Sequence, residues 1–335
     1  MSCPGFTHIL VLPHLKVQNA NAVSSPLTHG FPSITAFLGL MWALERKTRA
    51  LGLDIEFNAV GVVCHDHDEQ INDGGFVHSF RLTRNPVGKD GKTAAIVEEG
   101  RIHLDVSLLL AVHAEHWNSE TRQRDTQTIV ELVQAMRIAG GTLLPSALSW
   151  ASRQHPWVAD FTDPDDNDFR KLRTCLLPGT TLVARDDLID TRLEALQAVQ
   201  PEATRLDAWL SLSRVNWHFD ANAENGKGAW QHDRNGAGWI VPMPVGYGAL
   251  GPVHAAGSVP NARDATTPFR FVESLYSIGE WIGPHRLQKP QDLLWYADSQ
   301  PEQGLYRFRA RLRTQARPFR CADVWRRLEQ SRRLG

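Results

Sequence analysis

The amino-acid order predicts an α+β fold, in which a first half of alternating strands and helices is followed by a second helical and β-rich region. Three patterns carry that expectation. Ile55, Phe57, Ala59, Gly61 and Val63, and later Ile102, Leu104, Val106, Leu108 and Leu110, recur every second residue, the period of a strand with one buried face. Ile34, Phe37, Leu38, Met41 and Leu44 fall at helical spacing, as do Ile129, Leu132, Val133 and Met136. Between strands, Arg84-Asn-Pro-Val-Gly-Lys-Asp-Gly-Lys-Thr concentrates Pro and Gly as a turn or a projecting hairpin tip does.

Taken in order, the chain opens with a short apolar strand, His8 to Leu12. A loop then carries Gln18, Asn19, Asn21, Ser24, Ser25 and Thr28, neutral side chains that both donate and accept hydrogen bonds. It leads to a helix with Ser33 as N-cap and Gly52 as C-cap glycine. Free N–H groups and the helix dipole there favour a phosphate, although many helices begin this way and bind nothing. Strands follow at Ile55 to Val63, Phe76 to Thr83 and Arg101 to Val112, then a helix from Thr121 that stops at Gly140-Gly141, with Thr142-Leu-Leu as a closing strand. That succession is the ferredoxin-like βαββαβ order with an inserted hairpin. No aromatic RNP-like run lies on a strand, so any nucleic-acid recognition is expected from loops and edges.

Asp160 to Asp168 holds five aspartates and reads as an exposed linker, which divides residues 1–155 from 156–335. Beyond it the pattern predicts helices at Phe169 to Leu177, Asp187 to Val199 and Leu206 to Trp217. A flexible Asn- and Gly-rich segment, Asp220 to Gly238, precedes short apolar runs broken by Gly and Pro. Seven of the eleven Trp lie after residue 200, most expected in the core and two or three at a subunit interface.

A chain of 335 residues exceeds one average core, and 42% hydrophobic with 22% charged residues is ordinary globular composition. The net charge of −1 excludes a uniformly basic nucleic-acid binder, but from Leu305 onward ten Arg face only Asp323 and Glu329. Cys3, Cys64, Cys175 and Cys321 form no C-x-x-C pair, which argues against a disulfide framework or zinc ribbon and for a reducing cytoplasm. The apolar run Ile9 to Leu12 is too short for a signal peptide, and no stretch is long enough to span a membrane.

Gly88-Lys-Asp-Gly-Lys-Thr imitates a P-loop, but Pro86 stands where the first Gly belongs and no helix follows. The better reading is a basic tip, with Arg81, Arg84, Lys89 and Lys92 placed to lie along a phosphate backbone. Cys64-His-Asp-His-Asp-Glu offers metal-binding side chains, yet neighbours on a strand point to opposite faces, so a polar strand end is expected and no metal or cofactor. Arg137 precedes a glycine pair where backbone can approach a ligand, and Arg263 and Arg270 are further cations suited to bidentate phosphate contact or to internal ion pairs, such as Arg270 with Glu273.

A resemblance sharpens these expectations. Asn19-Ala-Asn-Ala-Val-Ser-Ser-Pro-Leu-Thr-His-Gly-Phe-Pro-Ser-Ile-Thr-Ala-Phe resembles the opening of the Csy two family, the Cas-five-like subunit of the type I-F CRISPR surveillance complex. Leu82-Thr-Arg-Asn-Pro-Val, Ala135-Met-Arg-Ile-Ala-Gly-Gly, Asn261-Ala-Arg-Asp, Asp292-Leu-Leu-Trp-Tyr and Gly304-Leu-Tyr-Arg continue it in order along nearly the whole chain. The resemblance implies an RRM-type core and a non-catalytic subunit. It would grip the 5′ handle of the CRISPR RNA, pair with the large Csy subunit, cap a filament of backbone Csy subunits and meet target DNA through the complex. In these terms Gln18, Asn19, Asn21, Ser24 and Ser25 would read splayed handle bases, while Arg84, Lys89, Lys92, Arg137, Arg263 and Arg270 are the candidate cations. Two other readings remain: an endoribonuclease with a general base among His29, His103 and His113, and a protein-protein adaptor docking through its Trp-rich half.

Overall fold

The computed structural model describes residues 3–84, 87, 88, 90–93, 96–145, 155–163, 167–221, 228–234, 238–262 and 264–310, with backbone alone at 82–84 and 96–98. The chain enters on β1 (His8–Asn21) and turns through a small hairpin, β2 (Val23–Ser25) and β3 (Thr28–His29), into α1 (Ile34–Ala50). Ser33 accepts the Thr35 N–H at the start of α1, and Gly52 takes φ +78° just past its end, so both helix boundaries follow from the capping residues. Next come β4 (Glu56–Glu69), a hairpin of β5 (Ile71–Asp73) with β6 (His78–Phe80), and a second of β7 (Leu82–Arg84) with β8 (Ile96–Glu98). β9 (Arg101–His113), α2 (Ser119–Gln134), β10 (Arg137–Ile138) and β11 (Gly141–Leu143) complete the first half.

The second half contributes β12 (Trp157–Asp160), α3 (Phe169–Cys175), β13 (Thr180–Ala184), α4 (Asp186–Gln197), α5 (Arg205–Leu212), and the hairpin β14 (Trp217–Asp220) with β15 (Ala229–His232). β16 (Trp239–Ala249), β17 (Val272–Ile282), β18 (Trp295–Ala297) and β19 (Leu305–Ala310) follow. Eleven strands form one antiparallel sheet in the order β10-β11-β1-β9-β4-β13-β17-β16-β19-β18, with β12 beside β1. A further pairing of β18 with β4, at Trp295 and Val60, joins the far end of this path back to its middle.

Alternation along β9 decides where the core sits. Ile102, Leu104, Val106, Leu108 and Leu110 face α1 and α2, packing with Phe37, Leu38, Met41, Ile129 and Val133. On the opposite face Leu109 and Ala111 meet Leu172 of α3 with Leu287 and Leu293. That second cover stops short, and toward the other end of the strand the same face carries His103, Asp105 and Ser107.

Several expected boundaries move. β1 does not end at Leu12 but runs to Asn21, because two irregularities, between Leu12 and Leu15 and between Val17 and Ala20, break the alternation that would reveal it. α2 ends at Gln134, and Ala139-Gly140 turns the β10–β11 hairpin, with Gly141 the first residue of β11. The expected strand at Phe76 to Thr83 is divided between β6 and β7. Just before the aspartate run, Trp157–Asp160 pairs with His8–Val11 of β1. α5 stops at Leu212, since Trp217 belongs to β14.

Candidate nucleic-acid interface

The polar residues after Leu12 lie mostly on the end of a strand and not in a loop. Gln18 of β1 stands opposite Thr142 of β11, which stands opposite Arg137 of β10, and all three are exposed. Cross-strand partners share a face, so three side chains from distant parts of the chain form one row. Gly141 makes this possible: a Cβ there would lie 2.8 Å from the Ala20 nitrogen and 2.8 Å from the Gln18 carbonyl oxygen.

Asn19 sits in the second irregularity of β1 with φ +57°, and its N–H donates to His103 Nδ1 at 3.1 Å. Asn21 spends its side chain locally, donating to the Val23 carbonyl at 2.8 Å and accepting the Val23 N–H at 3.1 Å. Ser24 donates to the Phe31 carbonyl, and the Ser25 and Thr28 hydroxyls meet at 2.7 Å across the β2–β3 turn. These bonds shape the hairpin, and Ser24 and Ser25 remain half-exposed.

Lys92 is 85% exposed near the tip between β7 and β8, with Asp90 3.5 Å away. Arg84 closes β7, whereas Lys89, Arg263 and the arginine-rich segment after Ala310 lie outside the described residues. The P-loop imitation occupies this hairpin tip. Arg270 does not pair with Glu273: its Nε donates to the Gly251 carbonyl at 2.9 Å and its Nη1 to that of Pro301 at 3.3 Å, bracing two loops.

Sequence reasoning missed a polar network on the second face of β1, β4 and β9, beyond the Leu172 cluster, in which Asp105 and Ser107 are buried. The His14 N–H donates to Ser107 Oγ at 3.1 Å, Ser107 Oγ lies 2.6 Å from His65 Nε2, and His65 Nδ1 lies 2.6 Å from the Pro178 carbonyl. A carbonyl only accepts, so Nδ1 carries the proton and Nε2 accepts from the serine. The His14 and His65 rings stack with centroids 4.1 Å apart. Asp105 receives Lys16 Nζ at 2.6 Å and His14 Nδ1 at 3.1 Å. Burial pushes the Asp105 carboxyl up, but hydrogen bonds and charge from Lys16 and His14 outweigh it and hold it below its ordinary value. Burial likewise lowers the His65 pKa. Polar residues at 103, 105 and 107 of a strand whose even positions are all apolar were the one available signal.

Cys64-His-Asp-His-Asp-Glu forms the outer half of β4. Burial, reinforced by the Asp105 and Asp66 charges, pushes the Cys64 thiol up to about 12, away from the thiolate a metal needs. Among the described residues no three His, Cys, Asp or Glu side chains converge on a metal position.

The family model described as CRISPR-associated protein (Cas_Csy2) matches residues 10–308. The chain belongs to the Csy2 family. A relative, "CRISPR-associated protein Csy2" of Pseudomonas aeruginosa (strain UCBPP-PA14), is 45% identical over 314 residues, covering 90% of this chain and 94% of that protein. The span matched to the Csy2 family contains the whole row Gln18–Thr142–Arg137 and both hairpins, and it stops before the arginine-rich segment.

Proposed function

We propose that this Csy2-family chain is a non-catalytic subunit of a type I-F CRISPR surveillance complex that holds the 5′ handle of the CRISPR RNA. The row Gln18–Thr142–Arg137 carries the reading. It sets an amide, a hydroxyl and a guanidinium side by side on exposed sheet, the donor set that contacts base edges and phosphates of a splayed single strand. Asn19 and Asn21 adjoin it, Ser24 and Ser25 follow on the next hairpin, Lys92 adds an exposed cation near the tip between β7 and β8, and Arg84 and Lys89 add two more cations in the same stretch of sequence. Arg263 and Arg270 belong to this reading as outlying cations of the second half. The elements β1, α1, β4, β9, α2 and β11, with β11-β1-β9-β4 as neighbours in space, support a ferredoxin-like core of the RRM type for residues 1–155 and an interaction region for 156–335. Pairing with the large Csy subunit, a place at the end of the backbone Csy subunits, and indirect contact with target DNA complete the proposal. A cytoplasmic location accords with it, and among the described residues no helix is long and apolar enough to cross a membrane.

Direct phosphate contact makes RNA retention salt-dependent. Arg84→Ala with Lys89→Ala should weaken binding of handle RNA and flatten its salt slope, and Arg137→Ala should lower that slope by about 1. Repeat RNA incubated with the chain should stay intact, whereas cleavage that His29→Ala abolishes would overturn the non-catalytic assignment.

An adaptor role without RNA contact draws on one observation. Trp217, Phe219 and Trp230, on the β14–β15 hairpin, are 59%, 54% and 65% exposed, as at a protein interface. An unchanged salt slope in the Arg84/Lys89 variant would favour it.

A further inference from the structure

A cavity of ≈210 Å³ opens beside the RNA-facing hairpin, between β2–β3, the polar end of β4 and the start of β16. Its aromatic side is built by register. Trp239 and Trp281 are directly paired across β16 and β17, so their rings stand on one face, with centroids 6.3 Å apart and planes tilted by 46°. Trp281 is 9% exposed, with the Phe31 ring lying edge-on at 4.8 Å. Trp239 is 56% exposed and so offers ring surface to whatever enters.

Polar groups stand along other parts of the lining. His29 Nδ1 lies 3.0 Å from Glu69 Oε1, and Ser24 and Thr28 add hydroxyls. A carboxylate has about four acceptor positions, of which His29 takes one. Among the described residues lining the cavity none is Lys or Arg. A phosphate would therefore meet Glu69 with no lysine or arginine to offset it. A flat, neutral, hydrogen-bonding ring meets what it needs: an aromatic face to stack on and acceptors at its edge.

We propose that this cavity is a subsite for one unpaired nucleobase, stacked on Trp239 and held at its edge by Glu69 and the hairpin hydroxyls. The proposal rests on the RNA-binding reading above and goes beyond it by naming a base subsite on β16–β17. Because Glu69 accepts and does not donate, the subsite favours a base with an exocyclic amino group over uracil, whose edge presents mainly acceptors.

The test uses the full chain, with complex partners where they co-purify, and handle RNA in which each nucleotide in turn is made abasic. One abasic position should weaken wild-type binding about tenfold, the usual worth of a base stacked on an aromatic ring. Trp239→Ala should cost a similar factor on intact RNA, leave the salt slope unchanged and add little at that one position, while Trp239→Phe should keep most of the affinity. Glu69→Gln should narrow the preference for amino bases over uracil at the same position. Equal abasic losses in wild type and Trp239→Ala would overturn the subsite and leave RNA binding standing. Unchanged RNA affinity with loss of a protein partner on Trp239→Ala would give the cavity to a protein side chain and also overturn it. Absence of RNA binding by the wild type would remove both this subsite and the reading beneath it.

Discussion

The His65 side chain shows how one residue couples three strands and a loop. Its ring joins Ser107 of β9 to the carbonyl of Pro178, and Ser107 in turn takes the backbone N–H of His14 in β1. Burial holds its folded-state pKa below the ordinary 6.5, so the native state resists the proton that the unfolded chain accepts. The stabilisation is complete above pH 6.5 and is lost as pH falls from there through the lower folded value. His8, also held down by burial beside Asp160 and Arg122, adds a share in the same window, whereas Asp105, held below 3.8, acts only in stronger acid. Thermal unfolding should thus show a melting temperature that drops between pH 7 and pH 5, and His65→Gln should flatten part of that drop. Equal pH slopes in wild type and variant would show that this network carries no titrating load. In sequence His65 stood out only as a member of a metal-like run, because the residues that engage it lie 42 and 113 positions away.

At the scale of elements, what could be read in advance depended on whether local chemistry marks a boundary. α1 was readable because Ser33 and Gly52 punctuate it, and β9 because its even positions are uniformly apolar. The outer half of β1 was not readable, since His14 at φ +50° and Asn19 at φ +57° interrupt the two-residue period, so strand residues looked like loop. Consequently Gln18 and Asn19 were singled out for their polarity alone, while the alignment of Gln18 with Arg137 stayed hidden until β11 bridged them. Two glycines test how tightly that bridge is set. Gly141→Ala would drive a Cβ to 2.7 Å from Val17 Cγ1 as well as onto the backbone of β1, and should cost about 1–3 kcal/mol and detach β10–β11. Gly39→Ala, on the exposed side of α1 with nothing within 4 Å, should instead stabilise by about 0.5–1 kcal/mol. Denaturant midpoints that shift in the same direction for both would contradict this account of the β1–β11 contact.

Across the whole molecule, β4 is the shared member: β9 lies on one edge, and β13 and β18 pair with successive parts of the other. The division near residue 155 rests on a run of aspartates, a signal of local composition. Tryptophan counting was similarly half-informative. Trp209, Trp281 and Trp295 are buried, Trp217, Trp230 and Trp239 are exposed, and Trp325 lies outside the described residues. Trp295 is the natural probe of the junction, because it pairs with Val60 of β4, donates from Nε1 to the Leu182 carbonyl of β13 at 3.0 Å and is only 2% exposed. Trp295→Ala would empty a large buried volume and strand that carbonyl, at a cost of about 3–5 kcal/mol. Since β4 is common to both sets of strands, the loss should spread. Hydrogen exchange at Val106–Leu110 of β9 should quicken along with exchange at Ser277–Ile282 of β17, in a single cooperative step. If β9 kept its protection while β17 and β18 exchanged freely, the sheet would be two units that merely touch at β4, and the Gln18–Thr142–Arg137 row on β1, β10 and β11 would stand independently of the second half.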